Sequence, residues 1–185
     1  YYRASKFEDS LKKIIESVEL VKTAKNTGLL AAIYYNLNRL EDSEKTLNDY
    51  RHLIDNSNYD WLAGFINYKR GRYDVALKFL EKFKDDKTVV QYLTVIYEIL
   101  NKHSRKIEAL TAILKTKPRD GRALYDIGIA YYNAGNYSKS VEYLNANCLL
   151  KQPYNEISCR FYCTVANYRQ KKFTSTVKQF KKIYE

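Results

Sequence analysis

Residues 124–153 read LYDIGIAYYNAGNYSKSVEYLNANCLLKQP, and the spacing within them decides the architecture. Leu124, Ile127, Gly128 and Tyr131 recur at intervals of three and four with no proline among them, which is one face of a helix. Gly135 marks a turn, after which Tyr137, Ser140 and Leu144 begin a second stretch of the same period. Two helices joined so tightly fold back as a hairpin. Helices approach closely only where neither side chain is large. The reading therefore sets Gly128 against Ser140, and makes Tyr137 a wedge toward the next hairpin.

The same pattern recurs along the chain. Leu30-Ala31-Ala32-Ile33-Tyr34-Tyr35 lies over Ala63-Gly64-Phe65-Ile66-Asn67-Tyr68, Ile127-Gly128-Ile129-Ala130-Tyr131-Tyr132 and Cys163-Thr164-Val165-Ala166-Asn167-Tyr168 at successive offsets of 33, 64 and 36. The middle offset is two periods, and Leu93-Thr94-Val95-Ile96-Tyr97-Glu98 fills the gap, followed by a longer loop around Lys102 to Arg105. Each copy continues through a turn residue (Asn38, Gly71, Gly135, Lys171) to Leu40, Tyr73, Tyr137 or Phe173. A small residue (Ser43, Ala76, Ser140, Thr176) and an apolar one (Leu47, Leu80, Leu144, Phe180) follow. Fixed-period hairpins of this kind bury their apolar stripes only by stacking on their neighbours.

These motifs resemble the tetratricopeptide repeat family. The copy with Leu124, Ile127, Gly128, Tyr131, Gly135, Tyr137, Ser140, Leu144 and Pro153 matches most signature places, and the copy with Gly64, Gly71, Tyr73, Ala76 and Leu80 is nearly as close. The family's usual alanine late in the second helix is Asn147 in one copy and Phe83 in another. The copy after Lys87 lacks both the first-helix glycine and the standard turn. The resemblance implies an all-α, right-handed superhelical solenoid of antiparallel helix pairs over residues 1–185. Residues 1–23 would be the second helix of a partial repeat, 24–56, 57–86, 87–120 and 121–154 full repeats, and 155–185 a last, incomplete one. Half-repeats at both ends and the absence of Met point to a piece of a longer array, or to methionines left out of the sequence.

Composition bounds the function. Lys and Arg number 32 against 21 Asp and Glu, giving a formal charge of +11. Residues 1–56 are neutral, with nine charges of each sign, so the excess belongs to the remainder. The longest apolar run, Leu29 to Tyr35, is far short of the roughly 20 residues a spanning helix needs, which argues against membrane insertion. Cys148, Cys159 and Cys163 are an odd number in a chain large enough to hold itself by its core. They point to a reducing intracellular compartment, most simply the cytoplasm. His52 and His103 lie in different repeats without metal-ligand spacing, and Cys159 and Cys163 read as buried apolar thiols, so no metal or cofactor is expected. No phosphate loop, nucleophile elbow or carboxylate pair is present, which argues against an enzyme. Asp85-Asp86 and Glu41-Asp42 read as caps.

Within the resemblance, first helices line the concave side. The register then sets Tyr35, Tyr68, Tyr132 and Tyr168 in one row, with Phe65 a turn earlier and Trp61, Tyr125 and Phe161 further back. Large rings of low rotamer entropy suit a groove for a helical or extended partner segment. Lys69, Arg70 and Arg72, then Lys102, Arg105 and Lys106, then Arg169, Lys171 and Lys172 fall at the turns and form a basic edge for an acidic partner. The alternative is an RNA-contacting subunit of a ribonucleoprotein, with bases on the rings and phosphates on the lysines. Some of the family grip chaperone C-terminal carboxylates with Lys and Asn. Here those inward places hold Gly28, Ala32, Trp61, Phe65, Tyr125 and Ile129, so that clamp is missing. By resemblance such arrays are scaffolds or adaptors in large hetero-oligomeric assemblies, including ciliary transport, ubiquitin-ligase and ribonucleoprotein complexes.

Overall fold

A computed structural model describes the backbone from Tyr2 to Tyr184, and the side chains of residues 8–178 with Phe180 and Lys181. The regular elements are α1 (Tyr2–Leu20), α2 (Ala24–Asn36), α3 (Leu40–Asp49), α4 (Asn56–Lys69), α5 (Tyr73–Leu80), a 3-10 turn (Glu81–Phe83), α6 (Lys87–Ile99), α7 (His103–Thr116), α8 (Gly121–Asn133), α9 (Tyr137–Cys148), α10 (Glu156–Arg169) and α11 (Phe173–Tyr184). Among the described residues there is no strand. The chain divides into two compact units, the first ending at Val89 and the second beginning at Val90.

One turn is built five times. Asn38, Gly71, Asn101, Gly135 and Lys171 all have φ between 50° and 77°. After each of them the next amide donates five residues back: Arg39 to Tyr34 O, Arg72 to Asn67 O, Lys102 to Tyr97 O, Asn136 to Tyr131 O and Lys172 to Asn167 O, at 2.7–2.9 Å. This left-handed closure satisfies carbonyls that the helix end leaves open. The turn after α6 is therefore the standard one and not a longer loop; Asn101 supplies the left-handed residue that Gly71 and Gly135 supply elsewhere. Each second helix then starts on the residue read as the wedge, with His103 in that place in the third hairpin. Four of the first helices, α2, α4, α6 and α8, open on capping side chains. Thr23, Asp55, Asp86 and Asp120 accept from the amides of Asn26, Asn58, Val89 and Ala123 at 2.9–3.2 Å.

In the first unit α2 packs on α1, α3 and α4, and α4 packs on α5. Leu11, Val18, Leu30 and Ile33 form one core cluster, and Ala31, Leu47, Ile54, Ala63 and Ile66 the next. Ser43 Oγ donates to the Ala31 carbonyl at 2.7 Å, so the small residue of the second helix also ties it to the first. In the second unit each of α7 to α10 packs on the next, with cores at Leu110, Ala123 and Ile127, and at Leu144, Cys159 and Cys163.

The close approach is tighter than the sequence shows, and its partner differs. A Cβ on Gly64 would lie 2.6 Å from Leu80 Cδ2, and one on Gly128 2.6 Å from Leu144 Cγ. The residue pressed onto each glycine is thus the leucine one turn beyond Ala76 or Ser140. Tyr73 and Tyr137 make a contact within their own hairpins. From the first residue of their helices they reach back across the turn and meet Tyr68 and Tyr132 edge-on, at 5.8 and 5.5 Å.

Lys171 holds φ 60°, a conformation that glycine adopts without strain and most side chains do not. Lys171→Gly raises stability by about 0.5–1 kcal/mol, measured by denaturant melting.

Candidate protein-binding surface

In the first unit the aromatic row is continuous. The Tyr35 and Phe65 rings lie 6.5 Å apart, Phe65 and Trp61 5.1 Å, and Trp61 and Phe83 5.3 Å. Lys69 Nζ sits 4.0 Å over the Tyr35 ring and donates to the Tyr35 carbonyl at 3.1 Å. Phe65 is buried, 6% exposed, so it supports the row from beneath and does not line a groove. Phe83, on the 3-10 turn, escapes the helical register that identifies the others. Its signal in the sequence is only that an aromatic stands where the repeat usually has alanine.

The basic residues here are largely engaged. Arg70 pairs with Glu44 at 2.5 Å and Glu41 at 3.0 Å, and Arg72 pairs with Glu44 at 2.6 Å. These carboxylates stand on α3, one hairpin earlier, at a sequence distance that periodicity along one helix cannot reveal. Exposed ion pairs of this kind contribute about 0–1 kcal/mol each. Their main effect is to cancel positive charge along this part of the edge.

In the second unit Tyr125 meets Tyr154 at 5.6 Å, and Tyr132 meets Tyr162 at 5.2 Å, with Phe161 5.6 Å beyond Tyr162. Tyr168 meets Phe173 at 5.9 Å, the counterpart of the Tyr68–Tyr73 and Tyr132–Tyr137 contacts. Burial pushes the Tyr125 phenol above its usual range, against a hydrogen bond with Ser158 that lowers it. Phe161 and Tyr168, two turns apart on α10, are 54% and 60% exposed. Tyr154 and Tyr162 join the surface without having been singled out by register. Tyr162 is adjacent to the expected Phe161, and Tyr154 lies in a loop where periodicity is silent.

Lys106 is not an edge residue. It is 7% exposed, and its ammonium reaches Glu98 at 2.7 Å. Glu98 stands at the register place of Tyr35, Tyr68, Tyr132 and Tyr168, and Lys106 at the place of the small residues Ser43, Ala76 and Ser140. The third hairpin therefore replaces a small residue and a ladder tyrosine by an ion pair, which Asn133 Nδ2 also joins at 3.1 Å from Glu98. Breaking it exposes the cost of an uncompensated charge. Because Glu98 retains 37% of its exposure, Lys106→Ala lowers stability by about 1–3 kcal/mol. A urea titration measures this.

Nearby Asp126 is held above the usual carboxylate range by burial, although Lys106 and Arg122 oppose the shift. Its folded form binds a proton more tightly than its unfolded form, so stability falls as pH rises through that raised value. Asp126→Asn accordingly raises the melting temperature at neutral pH, and the gain disappears below the ordinary carboxylate range.

Lys102, Arg105, Arg169, Lys171 and Lys172 are exposed. Arg105 lies 3.7 Å from Glu108, and among the described residues no ion pair engages Lys102, Arg169, Lys171 or Lys172. Among the described residues no helix is long and apolar enough to cross a membrane, and no cluster of three His, Cys, Asp or Glu side chains could hold a metal.

Helical hairpins repeated through one closing turn, with a glycine under a leucine at the crossing, match solved structures over most of the chain. The structure of YrrB, described as a TPR protein with an unusual peptide-binding site, superposes with TM-score 0.72 at 15% identity, over 92% of this chain and 90% of that one. The chain has the tetratricopeptide-repeat fold. MamA from Desulfovibrio magneticus RS-1 superposes on the same repeats with TM-score 0.64 at 18% identity, over 87% of this chain and 93% of that one. In the structure of Naa15/Naa10 bound to HypK the match has TM-score 0.72 at 14% identity, spanning 97% of this chain but 29% of that one. No protein-family model and no curated protein matches the chain. The tetratricopeptide-repeat fold is thus carried by apolar periodicity, turn geometry and the helix crossing, at identities below one residue in five.

Proposed function

We propose that this chain is a non-enzymatic interaction module that takes a helical or extended acidic segment of a protein partner, as one subunit of a larger assembly. The observation that carries the reading is α10. Phe161 and Tyr168 are 54% and 60% exposed two turns apart, beside the exposed cations of Arg169, Lys171 and Lys172. Apolar anchors fill the space between rings while carboxylates meet the cations, which steers association. The fold is that of YrrB, whose structure is described as having a peptide-binding site, and of a protein solved in complex with partners. In the first unit Arg70 and Arg72 are committed to Glu44, so Tyr35, Trp61 and Tyr68 there offer an aromatic surface with little free positive charge.

Selection of displayed random peptides on the purified chain tests the proposal. The selected sequences are acidic with apolar anchors at helical or alternating spacing. The double variant Phe161→Ala/Tyr168→Ala binds them at least about tenfold more weakly with an unchanged melting curve, as truncated anchors do. Phe65→Ala, by contrast, loses about 3 kcal/mol of stability because its ring is interior. If the selected ligands ignore the double variant, the surface is wrong. If single-stranded RNA binds instead, with the steep log–log salt slope of counterion release, the basic edge works on phosphate and the ribonucleoprotein alternative stands.

A further inference from the structure

Cys148 closes α9 and Cys159 lies in the first turn of α10, with the loop and cap of residues 149–155 and the first residues of α10 between them. Their sulfurs are 3.1 Å apart, Cys148 donating toward Cys159, whose own S–H points to the Leu144 carbonyl at 3.0 Å. Asn147 Nδ2 adds a third contact to the Cys159 sulfur at 3.3 Å. Both thiols are free. Cys159 is fully buried and Cys148 is half-buried, so an oxidant reaches Cys148 first and finds a second sulfur already behind it. The third cysteine, Cys163, is directed toward Asn145 Oδ1 at 3.5 Å.

We propose that Cys148 and Cys159 are a dithiol site that closes to a disulfide when the chain meets a low-molecular-weight disulfide, clamping the end of α9 to the start of α10. The Cys148 thiolate attacks one sulfur of the small disulfide, forming a mixed disulfide and releasing one thiolate. Cys159, losing its proton, attacks the Cys148 sulfur and expels the second thiolate. The two protein S–H protons end on the two small thiols, so two protein thiols are oxidised and one small disulfide is reduced. The cross-link fixes the segment that carries Tyr154, whose ring packs on Tyr125, and so ties the redox state of the pair to the aromatic surface. The hydrogen bond to Cys159, with burial, holds Cys148 well above the ordinary thiol range. The hydrogen bond from Cys148 lowers Cys159, but the contact with Cys163 and burial outweigh it and raise Cys159 to about 11. Closure is consequently slow, and the product, once formed, is shielded from reductant.

The test exposes the folded chain to oxidised glutathione, alkylates the remaining thiols and maps the peptides by mass. The expected product lacks two hydrogens, joins Cys148 to Cys159, leaves Cys163 alkylated, and reverts with dithiothreitol. Amide exchange over residues 149–158 slows on the order of tenfold in that product. Cys163→Ser reacts as the wild type does, and Cys148→Ala, which alters the more accessible thiol, gives neither the cross-link nor the slowing. A Cys159–Cys163 bridge, a glutathione adduct that persists on Cys148, or closure only in denaturant overturns the proposal.

Discussion

Gly128→Leu abolishes the cooperative melting transition of the second unit. A Cβ at Gly128 would stand 2.6 Å from Leu144 Cγ, 2.7 Å from Cδ2 and 3.3 Å from the Leu144 amide nitrogen. The last contact matters most, because a rotamer change moves a side chain but not a backbone. Leu144 is itself 0% exposed, packed with Cys159 and Cys163, so it has nowhere to turn. Relief requires α8 to separate from α9, which opens the core shared with α10. Even Gly128→Ala costs about 1–3 kcal/mol by overpacking. Three more carbons exceed about 4 kcal/mol, comparable to the whole stability of a domain this size. At Gly64 the nearest atoms are Leu80 Cδ2, Leu80 Cγ and Phe79 Cβ, side chains only, so alanine there is the milder change. Gly28 has nothing within 4 Å, and Gly28→Ala stabilises by about 0.5–1 kcal/mol because helix propensity alone decides it. Circular dichroism melts of the three alanine variants rank them in that order. A wild-type melt for Gly128→Leu would falsify the assigned crossing.

The contrast among these glycines shows what the sequence could and could not convey. The repeat, the helix pairs and four of the five left-handed turn residues are legible because each depends on residues within one hairpin. The fifth, Asn101, is hidden because the third copy lacks the small residues that mark the others. In their places it holds Glu98 and Lys106, a pair whose meaning appears only when the two side chains are seen to touch. The basic edge suffers the same loss. Positive residues at turns are visible by eye, but the carboxylates of Glu41 and Glu44 that engage Arg70 and Arg72 come from another hairpin. The aromatic row is legible in register and not in depth. Trp61 and Phe161 occupy equivalent places on their first helices, yet the first is half-buried and the second 54% exposed, because burial is set by what the neighbouring hairpins contribute.

Asn147→Ala, a change toward the residue the repeat family usually carries there, destabilises the second unit by about 2–4 kcal/mol. Family resemblance alone gives the opposite sign, since substitutions toward a consensus ordinarily stabilise. Here Asn147 is 0% exposed, and its amide does the work of a strand partner for one residue: Nδ2 donates to the Tyr154 carbonyl at 2.7 Å and Oδ1 accepts from the Tyr154 amide at 3.0 Å. An alanine satisfies neither group, and a partly buried donor and acceptor left unpaired cost about 1–3 kcal/mol each, with solvent recovering part. The loss falls on residues 149–155, so their amides exchange faster than the rest of α9 and α10. It also reaches the aromatic surface, because the loop that Asn147 holds positions Tyr154 against Tyr125. For a unit of this size the melting temperature drops by roughly 10 °C or more. Calorimetry of Asn147→Ala beside Asn145→Ala, whose position is exposed, decides the sign. Equal or raised stability in Asn147→Ala would mean that the loop is held by its own packing and that the asparagine is a passenger.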